Sequence, residues 1–158
     1  QMIGAALGAL LVWLSYKPHF DATDDPAVKL GVFCTGAEIR RPGWNFLCEA
    51  IGTFALLFII FYITTGEIEL PDNASTLSIV LGSVGALPFA FTVWVIGLAL
   101  CGPTGYAINP ARDLAPRIVH ALLPIRGKGG NDWGYAWIPV LAPLCGASVA
   151  AWLYVWLS

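Results

Sequence analysis

Charge is what this sequence most lacks. Only 11% of its 158 residues are Asp, Glu, Lys or Arg, against about a quarter in an ordinary soluble domain. Hydrophobic residues make up 58%, and the mean hydropathy is +0.73. A length that would suit one soluble domain therefore belongs to a chain for which lipid is the expected solvent. Basic tracts are missing and the net charge is −2, so nucleic acid is not an expected partner. The four cysteines, Cys34, Cys48, Cys101 and Cys145, show neither metal-ligand nor disulfide-framework spacing. They read as small buried apolar residues. His19 and His120 stand alone and read as loop or helix-surface residues; with no nucleophile–base pair beside them, no enzyme chemistry, metal or cofactor is expected. The opening "QMIGAALGALLVWLSY" has no basic n-region and no cleavage pattern, so no secretory signal is read there.

What the chain has in quantity is unbroken apolar sequence. Phe46 to Thr65 carries Glu49 as its sole charge, and Leu77 to Leu100 and Gly134 to Leu157 carry none. Each reaches the roughly 20 residues that a transmembrane helix needs. Met2 to Tyr16 reads as a span already under way, too short to cross alone. Pro88, Pro139 and Pro143 fall inside these runs, which membrane helices tolerate when neighbours satisfy the freed backbone groups. Trp44, Trp133, Trp137, Trp152 and Trp156 lie near span ends, as an interfacial belt would place them. Of the connections, Lys17–Asn45 and Leu123–Trp133 are basic, whereas Gly66–Thr76 is acidic. The charge rule alone puts the basic pair in the cytoplasm. Asn73–Ser75 matches a glycosylation sequon, a weak signal at three residues.

One stretch breaks the apolar pattern: "GPTGYAINPARDLAPRIV", Gly102 to Val119. Pro103 and Gly105 are expected to stop the preceding helix. Asn109 is a strong N-cap and Pro110 suits the first helical position. The helix expected over 110–123 is about 21 Å long at 1.5 Å per residue, short of the roughly 30 Å hydrocarbon core. With the extended chain before it, it reads as a re-entrant loop and half-helix, a backbone tolerated at membrane depth only inside protein or against a watery cavity. Its N-terminus would aim about half a positive charge at that cavity. Asn109 can cap Ala111 or Arg112 through its carbonyl oxygen and keep its NH2 for the cavity. Arg112 shares that face, and Asp113 and Arg117 have ion-pair spacing. The alternative is a plain turn at the membrane surface, with Arg112 and Asp113 in water.

"GYAINPARD" closely resembles the second Asn-Pro-Ala loop of the aquaporin family, within it the aquaglyceroporins or glycerol facilitators. "EAIGTFALLF" from Glu49 resembles the start of that family's fourth membrane helix, and "IPVLAPLCGA" its last. The likeness covers one repeat of the family's two inverted repeats, Phe46 to Leu157, with Met2–Tyr16 similar to the tail of the third helix. It implies an all-α membrane protein, an aquaporin-like bundle with a re-entrant loop and half-helix, and it implies that the first repeat is missing here. It implies a selectivity filter of Gly97, Tyr106 and Arg112, an Asn-Pro-Ala motif of Asn109, Pro110 and Ala111, and pore carbonyls on Gly105, Tyr106 and Ala107. Glu49 is implied as the buried anchor of the loop, the alternative being an acid that reaches interfacial water. Asp113, Arg117, Pro143 and Leu144 match the glycerol-type pattern. Glycine at 97, where water-selective members have histidine, leaves room for a carbon backbone.

The implied activity is passive passage of glycerol and water, with urea or small polyols as further candidates, across the plasma (inner) membrane, excluding ions and protons, in a homotetramer. A secondary transporter with broken helices and a water-selective aquaporin are the alternatives. The family orientation puts the basic loops outside, against the charge rule, and is the one adopted here.

Overall fold

The computed structural model describes residues 1–63, 67–69, 76–78 and 82–158. The described helices are α1 Met2–Ser15, α2 Lys17–Ala22, α3 Pro26–Gly31, α4 Pro42–Phe61, α5 Leu87–Thr104, α6 Pro110–Leu122, α7 Trp133–Ala136 and α8 Ile138–Leu157. A 3₁₀ turn at Gly82–Ala86 precedes α5, and strands Glu67–Glu69 and Thr76–Ser78 pair antiparallel. The sequon at 73–75 and most of the acidic 66–76 connection lie outside the described residues.

The long helices bury polar and small residues and expose large apolar ones. On α4 the buried residues are Asn45, Glu49, Gly52 and Thr53, spaced to share one helical face. Large apolar residues point outward instead, among them Leu98, Val155 and Trp152. Such faces require lipid or another protein surface. Three helical segments, Pro42–Phe61, Val84–Thr104 and Trp133–Leu157, are long and apolar enough to cross a membrane.

Small residues let the helices approach closely. The buried face of α8 includes Ala142, Gly146 and Ala150, a small residue every fourth position. A Cβ on Gly146 would collide with the Ala50 carbonyl oxygen and lie 3.0 Å from the Phe54 nitrogen. The α4–α8 pair is the largest helix contact, and α1 packs on α6.

Several elements depart from the sequence expectation. Leu77, expected to begin a span, lies in the second strand, and the helix of that span runs from Leu87 to Thr104. Pro103 does not stop α5. In the last turn a proline removes one hydrogen bond, and the helix closes at Gly105, whose N–H donates to the Cys101 carbonyl at 2.8 Å. Gly105 is left-handed, φ 76, a conformation that costs glycine little. The 134–157 run divides into α7 and α8 at Trp137. The polar 17–45 connection contains α2 and α3.

The four cysteines carry free thiols, but only Cys34 is buried; Cys101 and Cys145 are exposed on helix surfaces. Burial pushes the Cys34 thiol up to about 12, so it stays protonated and unreactive at neutral pH. Ala9, Phe20, Phe33 and Ile125 form a small apolar cluster. Nearby, Arg40 is bidentate to Asp132 at 3.0 and 2.6 Å and lies 4.8 Å above the Tyr135 ring. The hydrogen bond to Asp132 raises the Arg40 pKa.

Candidate functional site: a re-entrant loop and half-helix beside a cavity

The site is built where α5 ends and α6 begins. After Gly105 the chain runs without helix to Asn109, which is extended at φ −157. Tyr106 and Ile108 hold left-handed backbone at φ 40 and 41, a strain of about 1–3 kcal/mol per residue that surrounding structure must offset. Glu49 offsets it. Its carboxylate, 1% exposed, accepts from the Ala107 N–H at 3.0 Å and the Ile108 N–H at 2.8 Å. A backbone turned this sharply cannot satisfy its own donors, and one acid on α4 takes two of them.

The half-helix starts as the Asn–Pro step dictates. Asn109 Oδ1 accepts from the Ala111 N–H at 2.9 Å, and Pro110 opens α6. The Asn109 amide nitrogen is not wholly free for the cavity: it donates to Gln1 Oε1 at 3.2 Å. At the other end, Lys128 Nζ donates to the carbonyls of His120, Ala121 and Leu123 at 2.8, 2.7 and 2.8 Å. A cation there satisfies the last carbonyls and suits the helix dipole.

A cavity of about 550 Å³ opens beside this segment. Its lining includes Tyr106, Asn109 and Arg112 from the loop and the start of α6, and Thr53, Leu56, Leu57, Val93, Pro143 and Leu144 from the long helices. Gly97 faces a second cavity of about 480 Å³, shared with Val93, Trp94, Cys101 and Tyr106. A Cβ on Gly97 would lie 3.2 Å from Tyr106 Cζ, so the tyrosine ring rests on the glycine between the two spaces. Tyr106 and Arg112 thus meet on one cavity, and Gly97 reaches it only through Tyr106. Ala111 is buried behind the motif.

Asp113 and Arg117 do not face the cavity. Both have fully buried side chains and pair at 2.8 Å across one turn of α6. Arg117 also donates to the carbonyls of Asn131, Asp132 and Thr35 at 2.9, 3.0 and 2.9 Å. Asp113 Oδ2 accepts from the Thr35 N–H and hydroxyl at 2.7 and 2.8 Å. His120 is buried as well, rather than on a helix surface: it packs on Phe33 with ring centroids 5.1 Å apart and bonds Asn131 through Nδ1 at 2.8 Å.

A family model described as Major intrinsic protein matches residues 1–154. The chain belongs to the major intrinsic protein family. With three membrane-capable helical segments, it is an integral membrane protein of aquaporin-like helical fold. It is 49% identical over 157 residues to the "Probable glycerol uptake facilitator protein" of Thermotoga maritima, covering 99% of this chain and 62% of that relative. It is 47% identical to "Glycerol uptake facilitator protein 3" of Lactiplantibacillus plantarum, covering 98% and 59%. The aquaglyceroporin structure from Plasmodium falciparum shares the fold, with a TM-score of 0.74 at 24% identity over 98% of this chain and 60% of that one. The chain therefore spans about three-fifths of the length of the relatives it matches.

Reading the sequence missed Thr35, Phe33 and Asn131, which hydrogen-bond the polar side chains of α6. Their signal was indirect: Asp113 and Arg117 together offer more hydrogen-bonding capacity than one ion pair uses.

Proposed function

We propose that this chain forms part of a passive channel for glycerol and other small uncharged solutes, with water, urea and small polyols sharing the path. The observation that carries this is the mixed lining of the cavity. Asn109, Arg112 and the Tyr106–Ala107 segment share about 550 Å³ with Leu56, Leu57 and Val93. A polyol is mixed in the same way, carrying hydroxyls and C–H groups on one small molecule. Arg112 and Asn109 replace lost hydration without the tight binding that would stop conduction. The filter is Gly97, Tyr106 and Arg112, with Asn109–Ala111 at the midpoint and the carbonyls of Gly105, Tyr106 and Ala107 along the wall. Arg112 and the positive end of α6 repel cations and protons. A homotetramer in the plasma membrane, with the basic loops outside, follows from the same family reading. The names of the bacterial relatives support the solute class.

The chain spans about three-fifths of the length of its relatives, and on this reading an N-terminal repeat completes the wall of the cavity. Proteoliposomes holding this chain alone are therefore expected to show glycerol permeability no higher than empty vesicles in stopped-flow light scattering. Joined to a first repeat of the family, the chain is expected to conduct; glycerol flux from the lone chain contradicts this division of labour.

In such a complete channel, Gly97→His is expected to cut glycerol flux about tenfold, with water flux reduced much less. Even a Cβ meets the Tyr106 ring at 3.2 Å, so an imidazole must push that ring into the passage, and forced overpacking costs about 1–3 kcal/mol. Equal loss of both fluxes counts against Gly97 as the size gate.

A further inference from the structure

The notch between α4 and α5 is filled from the re-entrant loop. Gly52 is buried on α4. A Cβ there would lie 3.0 Å from Ile108 Cγ2, 3.3 Å from Leu100 Cδ1 and 3.8 Å from Ile96 Cγ2. Carbon atoms in contact sit about 3.5–4.0 Å apart, so the Ile108 methyl takes the place that a side chain on Gly52 would need. Ile96 and Ile108 are both buried. Ile108 also lines the cavity of about 550 Å³, next to Asn109. One residue therefore joins the helix notch to the passage.

The Ile108 backbone has little room to answer a push. The N–H groups of Ala107 and Ile108 both donate to Glu49, at 3.0 and 2.8 Å. On the other side, Asn109 Oδ1 is committed to the Ala111 N–H at 2.9 Å. Leu100 contributes only the flexible end of its side chain and can turn aside. Ile108 is branched at Cβ, which leaves it few χ1 choices, on a backbone held at φ 41. A crowded Ile108 side chain therefore turns away from α4, and the open space on its border is the cavity.

We propose that Gly52 is a second size-determining position, acting through Ile108: with no side chain on Gly52, Ile108 sinks between α4 and α5 and leaves the space beside Asn109 wide enough for a carbon skeleton. This rests on the channel reading above. Gly52 is a positioning residue, since the group that borders the solute is Ile108. A solute built on a carbon chain depends on that width. A water molecule, being smaller, depends on it less.

The test is the ratio of glycerol to water permeability in the complete channel. Gly52→Ala is expected to lower the ratio about fivefold, the low end of what overpacking costs. Ile108→Val, one methylene shorter, is expected to change the parent ratio by less than about twofold, yet to bring Gly52→Ala back to within about twofold of the parent. A purely structural glycine lowers the protein yield and leaves the ratio unchanged, and that result overturns the proposal. So does a loss that Ile108→Val leaves in place, or one that it offsets only by raising the parent ratio equally. Should Gly52→Ala fail to fold, the double variant decides. A folded double with the parental ratio supports the proposal; a folded double with a lowered ratio, or one that does not fold, overturns it. A parent channel that passes no glycerol refutes the channel reading instead. The role of Gly52 is then judged on the structure of the Gly52→Ala channel, where an Ile108 side chain displaced toward the cavity supports it and an unmoved one overturns it.

Discussion

Glu49→Leu is expected to abolish solute flux through the complete channel and to reduce the amount of folded protein. The carboxylate is buried and takes the Ala107 and Ile108 N–H groups at 3.0 and 2.8 Å. Leucine strands both donors in an apolar setting, at about 1–3 kcal/mol each, and water cannot replace the acid inside a bilayer. The cost falls where the backbone is already strained, at Tyr106 and Ile108, so the loop is expected to relax away from the cavity. Glu49→Gln keeps one acceptor oxygen and turns an NH2 toward the other donor, so its defect is expected to be intermediate. Flux per molecule and the midpoint of heat-induced aggregation measure the two effects. A leucine variant with parental flux per molecule removes Glu49 from the support of the loop.

Arg117→Met is expected to be the most destabilising single change in α6, by about 3–5 kcal/mol, the usual cost of leaving one member of a buried pair unpaired. Asp113 then keeps its charge with only the Thr35 donors, and the Asn131, Asp132 and Thr35 carbonyls each lose the guanidinium. Removing both charges, in Asp113→Leu with Arg117→Met, is expected to be milder than Arg117→Met alone, because an apolar pair leaves no buried charge unpaired. Aggregation midpoints of the three variants decide this. A double variant less stable than Arg117→Met means that the hydrogen bonds to the loops, not the unpaired charge, dominate.

Much of the architecture was legible because lipid constrains sequence so strongly. A long apolar run with at most one charge has few options other than a spanning helix, and three such segments lie among the described residues. The Asn109–Pro110 step marks the start of α6 by a purely local rule, a cap followed by a residue with no N–H to satisfy. The glycerol-facilitator resemblance, carried by the loop residues, agrees with the family match over residues 1–154. Other expectations failed where the deciding term was not local. Pro103 looked like a helix stop, yet a proline in the final turn removes only one bond, and Gly105 supplies the true terminus. Cys101 and Cys145 looked buried because their runs are apolar, but an apolar run in a membrane protein also covers the outside. His120 looked like surface, and its burial depends on Phe33 and Asn131, which lie far from it or across a loop.

The sequence by itself determined the solvent, the helical class and the place where the membrane pattern breaks. These follow from composition and from hydrogen bonds between near neighbours along the chain. Only the tertiary structure decided what the polar residues in that break do. Glu49 is 58 residues from the Ala107 N–H it accepts from, and Thr35 is 78 from Asp113. A buried donor or acceptor must find a partner, but nothing in its own neighbourhood of sequence says which one, because that choice is made by helices packed side by side. The aspartate and arginine that follow Arg112 read as an ion pair in the sequence. In the folded chain they also bind Thr35, Asn131 and Asp132, which lie far away in the sequence or across a loop.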